Sequence, residues 1–199
     1  MLTSLSVLQI ADLIACLGCF ASFIWAMNHH FRTIDRFPMR ARAIQVTGAL
    51  FMLWHLLALL QARSSQGAAE IMALLLYGAS FALFWICVRV NREQPLSVAF
   101  SLDAPAHLMK HGPYRHVRHP FYVSYSLAWI AGIVALAQPW LLLSLLVMGA
   151  IYYSAAATEE RKFASSALAA AYADYQRHTG MFIPRLWPSK AVAHKKSIS

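Results

Sequence analysis

The stretch that decides the fold runs from His119 to Thr158, HPFYVSYSLAWIAGIVALAQPWLLLSLLVMGAIYYSAAAT, forty residues without one Asp, Glu, Lys or Arg. As a single helix at ~1.5 Å per residue it would reach ~60 Å, about twice the ~30 Å hydrocarbon thickness of a bilayer. Gln138-Pro139 lies halfway along it, and a proline interrupts a helix from within. The segment therefore reads as two membrane-spanning helices joined by a very tight turn, near 120–137 and 140–158.

The same reading extends outward. Leu5 to Phe31 carries one acidic residue and no basic one, enough apolar length for a first span. No Lys or Arg precedes it and no clear small-x-small site follows, which argues against a cleavable signal peptide. Ala43–Ala62 and Ala68–Val88 also lack Lys and Arg, and the polar turn Arg63-Ser64-Ser65-Gln66-Gly67 separates them. The expected fold is an all-α integral membrane protein of about five transmembrane helices, near 5–28, 43–62, 68–90, 120–137 and 140–158, in one membrane domain over 1–199. Glu159 to His178 is expected to form a further, cytosolic helix, with Phe163, Leu168, Tyr172 and Tyr175 broadly on one side.

Composition agrees. The 199 residues are 59% hydrophobic and 13% charged, where a soluble domain carries about 25% charged. The formal charge of +9 could suggest nucleic acid, but its placement gives a different account. Arg63 alone lies between the second and third helices, and no basic residue separates the fourth from the fifth. The other sixteen Lys and Arg of the seventeen fall on the opposite side. The positive-inside rule makes that side cytoplasmic, with the N-terminus out and the C-terminus in, and in a bacterium the membrane would be the plasma membrane. Topology thus accounts for the charge without a nucleic-acid partner. Residues 189–199 read as a basic tail near anionic headgroups.

The densest polar cluster, His111-Gly-Pro-Tyr-Arg-His-Val-Arg-His-Pro-Phe-Tyr122, opens the fourth helix. Gly-Pro sets a turn, and Pro120 suits a first helical turn, where its missing N–H costs nothing. Interfacial anchoring explains some Arg and Tyr. Two guanidiniums, several rings and free helix-start amides exceed that need and favour an anionic or zwitterionic ligand. Glu159-Glu160 ends the uncharged run, and the helical hairpin returns it to the same face as residues 119–122.

Other candidates carry less. Cys16-x-x-Cys19 has no second ligand pair, so both thiols read as packing residues, and no metal site is expected. His107-x3-His111 and His116-x2-His119 resemble fragments of membrane di-iron histidine boxes, but such sites need more ligands than this chain offers. His55 reads as a packing or interhelical hydrogen-bonding residue, and Asp12 should face protein or water rather than lipid. No two of the eight glycines lie closer than eleven positions, so neither a G-x-G-x-x-G nor a P-loop is present.

The segment Gly112-Pro-Tyr-Arg-His-Val-Arg-His-Pro-Phe-Tyr122, the apolar hairpin, Glu159-Glu160, the Tyr172-x-x-Tyr175 pair and Ile183-Pro184-Arg185 together resemble the isoprenylcysteine carboxyl methyltransferase family. That family of integral-membrane enzymes is related to phospholipid N-methyltransferases. The resemblance covers about 105–188, which it marks as the cofactor-binding core. It implies an S-adenosyl-L-methionine cofactor in an all-helical site at the cytoplasmic face. It further implies cofactor contacts from Leu108, Met109, Tyr114, His119, Pro120, Phe121, Tyr122 and Glu159, with Glu160 close by and His107 approximating a family histidine offset by one position. Arg118, with His119 and the helix-start amides, can engage the cofactor's carboxylate.

Three departures matter. Ala155 stands where the carboxyl-methylating branch has Arg, Ser124 stands where the family has Gly, and Ala167-Leu168 replaces a Phe-Gly pair. The first weakens prenylcysteine as substrate, leaving a lipophilic small molecule or lipid as acceptor. Two alternatives share the scaffold. An NADPH-dependent reductase of the sterol-reductase type usually has Asn where His119 precedes Pro, and a non-catalytic lipid-binding protein would take neither cofactor.

Overall fold

The computed structural model describes residues 5–31, 39–62, 67–93, 105 and 107–185. The basic tail at 189–199, the Arg63 turn and part of the third loop lie outside the described residues. Six α-helices occur among those described: α1 Val7–His29, α2 Met39–Gln61, α3 Ala68–Val90, α4 Pro120–Leu136, α5 Leu142–Ala164 and α6 Ala169–His178. Two short 3-10 turns, Gly112–Arg115 and Pro139–Leu141, precede α4 and α5. Four segments, α1, α2, α3 and Pro139–Ala164, are long and apolar enough to cross a membrane. The fifth expected span, α4, has 17 residues, or ~26 Å of helix.

Local chemistry sets the helix ends. Ser6 starts α1 through a capping box, its hydroxyl accepting from the Gln9 amide while its own N–H donates to Gln9 Oε1; a cap of this kind contributes about 1 kcal/mol. Gln9 Nε2 also donates to the Ala62 carbonyl at 3.2 Å, tying the start of α1 to the end of α2. Pro120 opens α4, and Ala137, in the left-handed region at φ 50, closes it by donating to Ile133 O. Gln138 and Pro139 then turn the chain into α5. The hairpin expected at Gln138-Pro139 is present, with the left-handed strain falling one residue earlier, on Ala137.

α3 and α4 make the most extensive helix contact, and α1 packs on both. Ser80 and Ser124 allow their close approach: each hydroxyl donates to the other's carbonyl, at 2.8 and 3.1 Å. Around this seam Phe20, Tyr77, Phe84, Tyr125 and Trp129 form the buried core. Cys16, Cys19 and Cys87 are buried free thiols within it.

One boundary differs from the sequence reading. The charged run Thr158 to Lys162 does not begin a new helix but continues α5 to Ala164. Charge alone does not end a helix: Arg161 and Lys162 sit in its last turn, where cations complement the helix dipole. The break comes at Ser165 and Ser166, whose hydroxyls accept or donate locally. α6 then folds back so that Tyr172 stacks on Phe163 at 4.4 Å and 6°.

Candidate functional site

Because α5 runs on for a full turn past Thr158, Glu159 and Glu160 project from an ordered helix rather than from a loop. Opposite them lies the extended segment 117–119 before α4. A second strand of chain holds that segment: the Arg118 amide donates to Gly180 O at 2.8 Å and the His119 amide to Met181 O at 3.2 Å. Gly180 is required there, because a Cβ would lie 1.7 Å from Ile183 O. The turn after α6 therefore aims the Arg118 and His119 side chains at the carboxylates.

The two carboxylates have different surroundings. Glu160 is 13% exposed and Oε1 accepts from Arg118 Nε at 2.7 Å and from His119 Nε2 at 3.2 Å. Its other oxygen accepts from Gln176 Nε2 at 2.7 Å. Glu159 is 31% exposed; Oε1 accepts from the Tyr122 hydroxyl at 2.7 Å, while Oε2 lies 3.4 Å from His119 Nδ1. Glu160 is thus sealed into the fold, and Glu159 keeps an open side for a ligand.

His119 faces a carboxylate with each ring nitrogen, and an ionised carboxylate can only accept, so both nitrogens act as donors in the imidazolium form. Burial disfavours that charge, but the hydrogen bonds that His119 donates to Glu159 and Glu160, aided by their charges, outweigh it and raise the His119 pKa above its ordinary value. Two cations and two anions then balance in one partly buried cluster. Tyr122 stacks on Tyr152 at 5.3 Å, and His119 lies between Tyr122 and Phe182. Electron-rich ring faces therefore border the open carboxylate.

The remaining predicted residues divide. Tyr114 is buried, its hydroxyl accepting from Asn91 Nδ2 at 2.7 Å and its carbonyl accepting from the Tyr175 hydroxyl. Burial above all holds its phenol well above the ordinary value, so it remains a neutral donor. Met109 is buried and Leu108 half-buried; among the described residues no hydrogen bond joins them or His107 to the carboxylates. His107 Nε2 and Asn91 Oδ1 are both buried polar atoms without a hydrogen-bond partner. Pro120 is fully buried. Phe121 turns away from the cluster, packing on Phe31, Phe84 and His30. Ala155 is fully buried.

Sequence reasoning missed Asn91, Tyr152 and Gln176. Gln176 was within reach, since it falls four residues after Tyr172 and so on the same helical face. Asn91 is the residue directly after the last residue of α3, a weaker sign. Nothing in the spacing marks Tyr152.

The family model described as phospholipid methyltransferase matches residues 69–171, more than half of the chain and including α4, both carboxylates and Tyr114. Comparison with curated proteins gives no match.

Proposed function

The chain belongs to the phospholipid methyltransferase family, and from that premise we propose that it is an S-adenosylmethionine-dependent methyltransferase acting on a lipophilic or lipid-like acceptor at the cytoplasmic face of a membrane. The observation that carries the reading is the half-open Glu159 carboxylate, bordered by Tyr122, Tyr152 and the His119 imidazolium.

The residues fit such a cofactor on their own chemistry. A zwitterionic amino-acid moiety with a sulfonium and ribose hydroxyls asks for an accessible carboxylate, cationic donors, ring faces and unspent polar atoms. Glu159 supplies the first, Arg118 the second with the His119 charge beside it, and Tyr122 and Tyr152 the third. His107 Nε2 and Asn91 Oδ1, buried without partners among the described residues, supply the fourth, Asn91 being bonded to Tyr114. When bound, the cofactor brings an activated methyl group on a good leaving group, so no catalytic triad is needed.

What the chain contributes is orientation and exclusion of water. Arg118 and Gln176 fix Glu160, which with Glu159 fixes the His119 ring. The Tyr122 hydroxyl orients Glu159 Oε1, leaving Oε2 for a cationic or hydroxyl donor. Ring faces contribute about 0.5–2 kcal/mol to a nearby cation. An apolar acceptor enters laterally from the bilayer and the cofactor from the aqueous side. Ala155 removes the basic group that the carboxyl-methylating branch uses on its substrate, which supports an acceptor other than a prenylcysteine carboxylate.

Binding of S-adenosylhomocysteine to detergent-purified protein tests the site. Glu159→Gln lowers affinity about tenfold or more, the loss of one charge-assisted hydrogen bond. Unchanged affinity removes Glu159 from the site, and absence of binding to the native protein, with NADPH stabilising it instead, turns the reading toward a reductase.

A further inference from the structure

A second polar region lies in the other half of the bundle. Along α4, Gly132 is ten residues from Tyr122, ~15 Å of helix away from the carboxylates. Here α1 contributes Asp12 and Cys16, α2 contributes His55, α3 contributes Tyr77 and α5 contributes Ser144, all fully or almost fully buried. Gly132 receives them: a Cβ on it would meet His55 Nδ1 at 2.3 Å and the Tyr77 hydroxyl at 3.1 Å. The two polar atoms therefore converge on one point across a bare stretch of helix.

The hydrogen-bond directions can be assigned. Ser144 Oγ donates its single hydrogen to Leu141 O at 2.6 Å, so in its 2.8 Å contact with His55 Nε2 it accepts. His55 therefore carries its proton on Nε2 and presents Nδ1 as a bare acceptor. That Nδ1, the Tyr77 hydroxyl and both Asp12 carboxyl oxygens are buried with no hydrogen-bond partner among the described residues. Asp12, Cys16 and Cys19 follow one another at helical spacing on one face of α1, and Cys19 Sγ donates to Tyr77 O at 3.5 Å, which sets that face against Tyr77. Four unspent polar atoms in one neighbourhood, in a core where each unmade bond costs about 1–3 kcal/mol, describe a site rather than scattered packing defects.

We propose that Asp12, Tyr77 and His55 form an intramembrane water site, in which ordered water joins the Asp12 carboxyl to the His55 imidazole by way of the Tyr77 hydroxyl. A buried water takes two to four polar partners, and Tyr77 with His55 Nδ1 supplies a donor and an acceptor flanking Gly132. The ligand is small, because Cys16, Trp129 and Ala131 close the surroundings without exposure. It is not a multivalent metal, since among the described residues no three His, Cys, Asp or Glu side chains gather to hold one. The groups come from α1, α3, α2 and α5, all of which also contact α4.

Radiolytic labelling of the full-length protein in detergent, in 18O water, tests the proposal, because hydroxyl radicals made in place from bound water reach side chains that bulk radicals do not. Tyr77 incorporates label several-fold faster than Phe84, which is as buried but lies in an apolar setting, and Asp12→Leu slows Tyr77 labelling while leaving Phe84 unchanged. Asp12→Asn, which keeps hydrogen-bonding atoms, retains it. Tyr77 labelling no faster than Phe84 overturns the proposal. So does a thermal midpoint that rises with sodium chloride but not with choline chloride and loses that response in Asp12→Asn, because the occupant is then a monovalent cation. These readouts do not involve methyl transfer or S-adenosylmethionine, so their failure leaves the proposed function standing, and the reverse holds.

Discussion

The two polar regions of this bundle solve the same problem in opposite ways. At the start of α4, Arg118, His119, Glu159 and Glu160 satisfy one another as ions, with Tyr122 and Gln176 completing the set. Around Gly132 there is no cationic counterpart to Asp12 among the contacts described, and its oxygens, the Tyr77 hydroxyl and His55 Nδ1 remain unspent within the protein. The first region orders itself before a ligand arrives. The second depends on something small entering it. Preorganised charge suits binding and catalysis, whereas a set of unspent polar groups suits water.

The largest expected effect breaks the ionic region. Arg118→Ala leaves Glu160 partly buried without its principal cation, and loss of one partner of a buried pair costs about 3–5 kcal/mol. Thermal melting in detergent should show a large fall in midpoint or no folded protein, while a small shift would mean that water replaces the guanidinium. Next come the two carboxylates compared with each other. Glu160→Gln should lower stability by about 1–3 kcal/mol through weakened charge-assisted bonds, whereas Glu159→Gln should change melting little. Equal melting losses would erase the distinction between a structural and a ligand-facing carboxylate.

A smaller effect is pH-dependent. The His119 pKa is raised in the folded protein above its ordinary 6.5, so the native state binds the proton more tightly than the unfolded chain. Its contribution is fully present below about pH 6.5 and is lost as pH climbs through the raised value. His119→Gln should flatten that part of the melting profile; an unchanged slope would assign it elsewhere. The smallest effect is away from both regions: Ser80→Ala removes one of the two reciprocal α3–α4 hydrogen bonds and should cost about 1 kcal/mol, measured by denaturation in mixed micelles.

The helical elements were legible because the bilayer leaves few options. Forty uncharged residues with one proline in the middle admit little except a hairpin, and the all-helical multi-pass architecture follows from apolar lengths. The end of α5 was not legible, because Glu, Arg and Lys are good helix formers and their charge says where water begins, not where a helix stops. Within the site, motif spacing brought Arg118, His119 and Tyr122 to the same face as Glu159 and Glu160. It could not distinguish Glu159 from Glu160, a difference made by Gln176 and the Gly180 turn more than fifteen residues further on. Phe121 shows the same limit: adjacent to Tyr122 in sequence, it points into the aromatic core, because successive helical residues face about 100° apart.

Methyl transfer itself is the most direct measurement. Full-length protein in membranes or detergent, supplied with S-adenosylmethionine carrying a labelled methyl group and a lipid extract, should place label in a lipid-phase product, at a rate strongly reduced in Glu159→Gln protein that still melts normally. Label that stays entirely in the aqueous phase, or a lipid product formed equally by Glu159→Gln, would contradict the account.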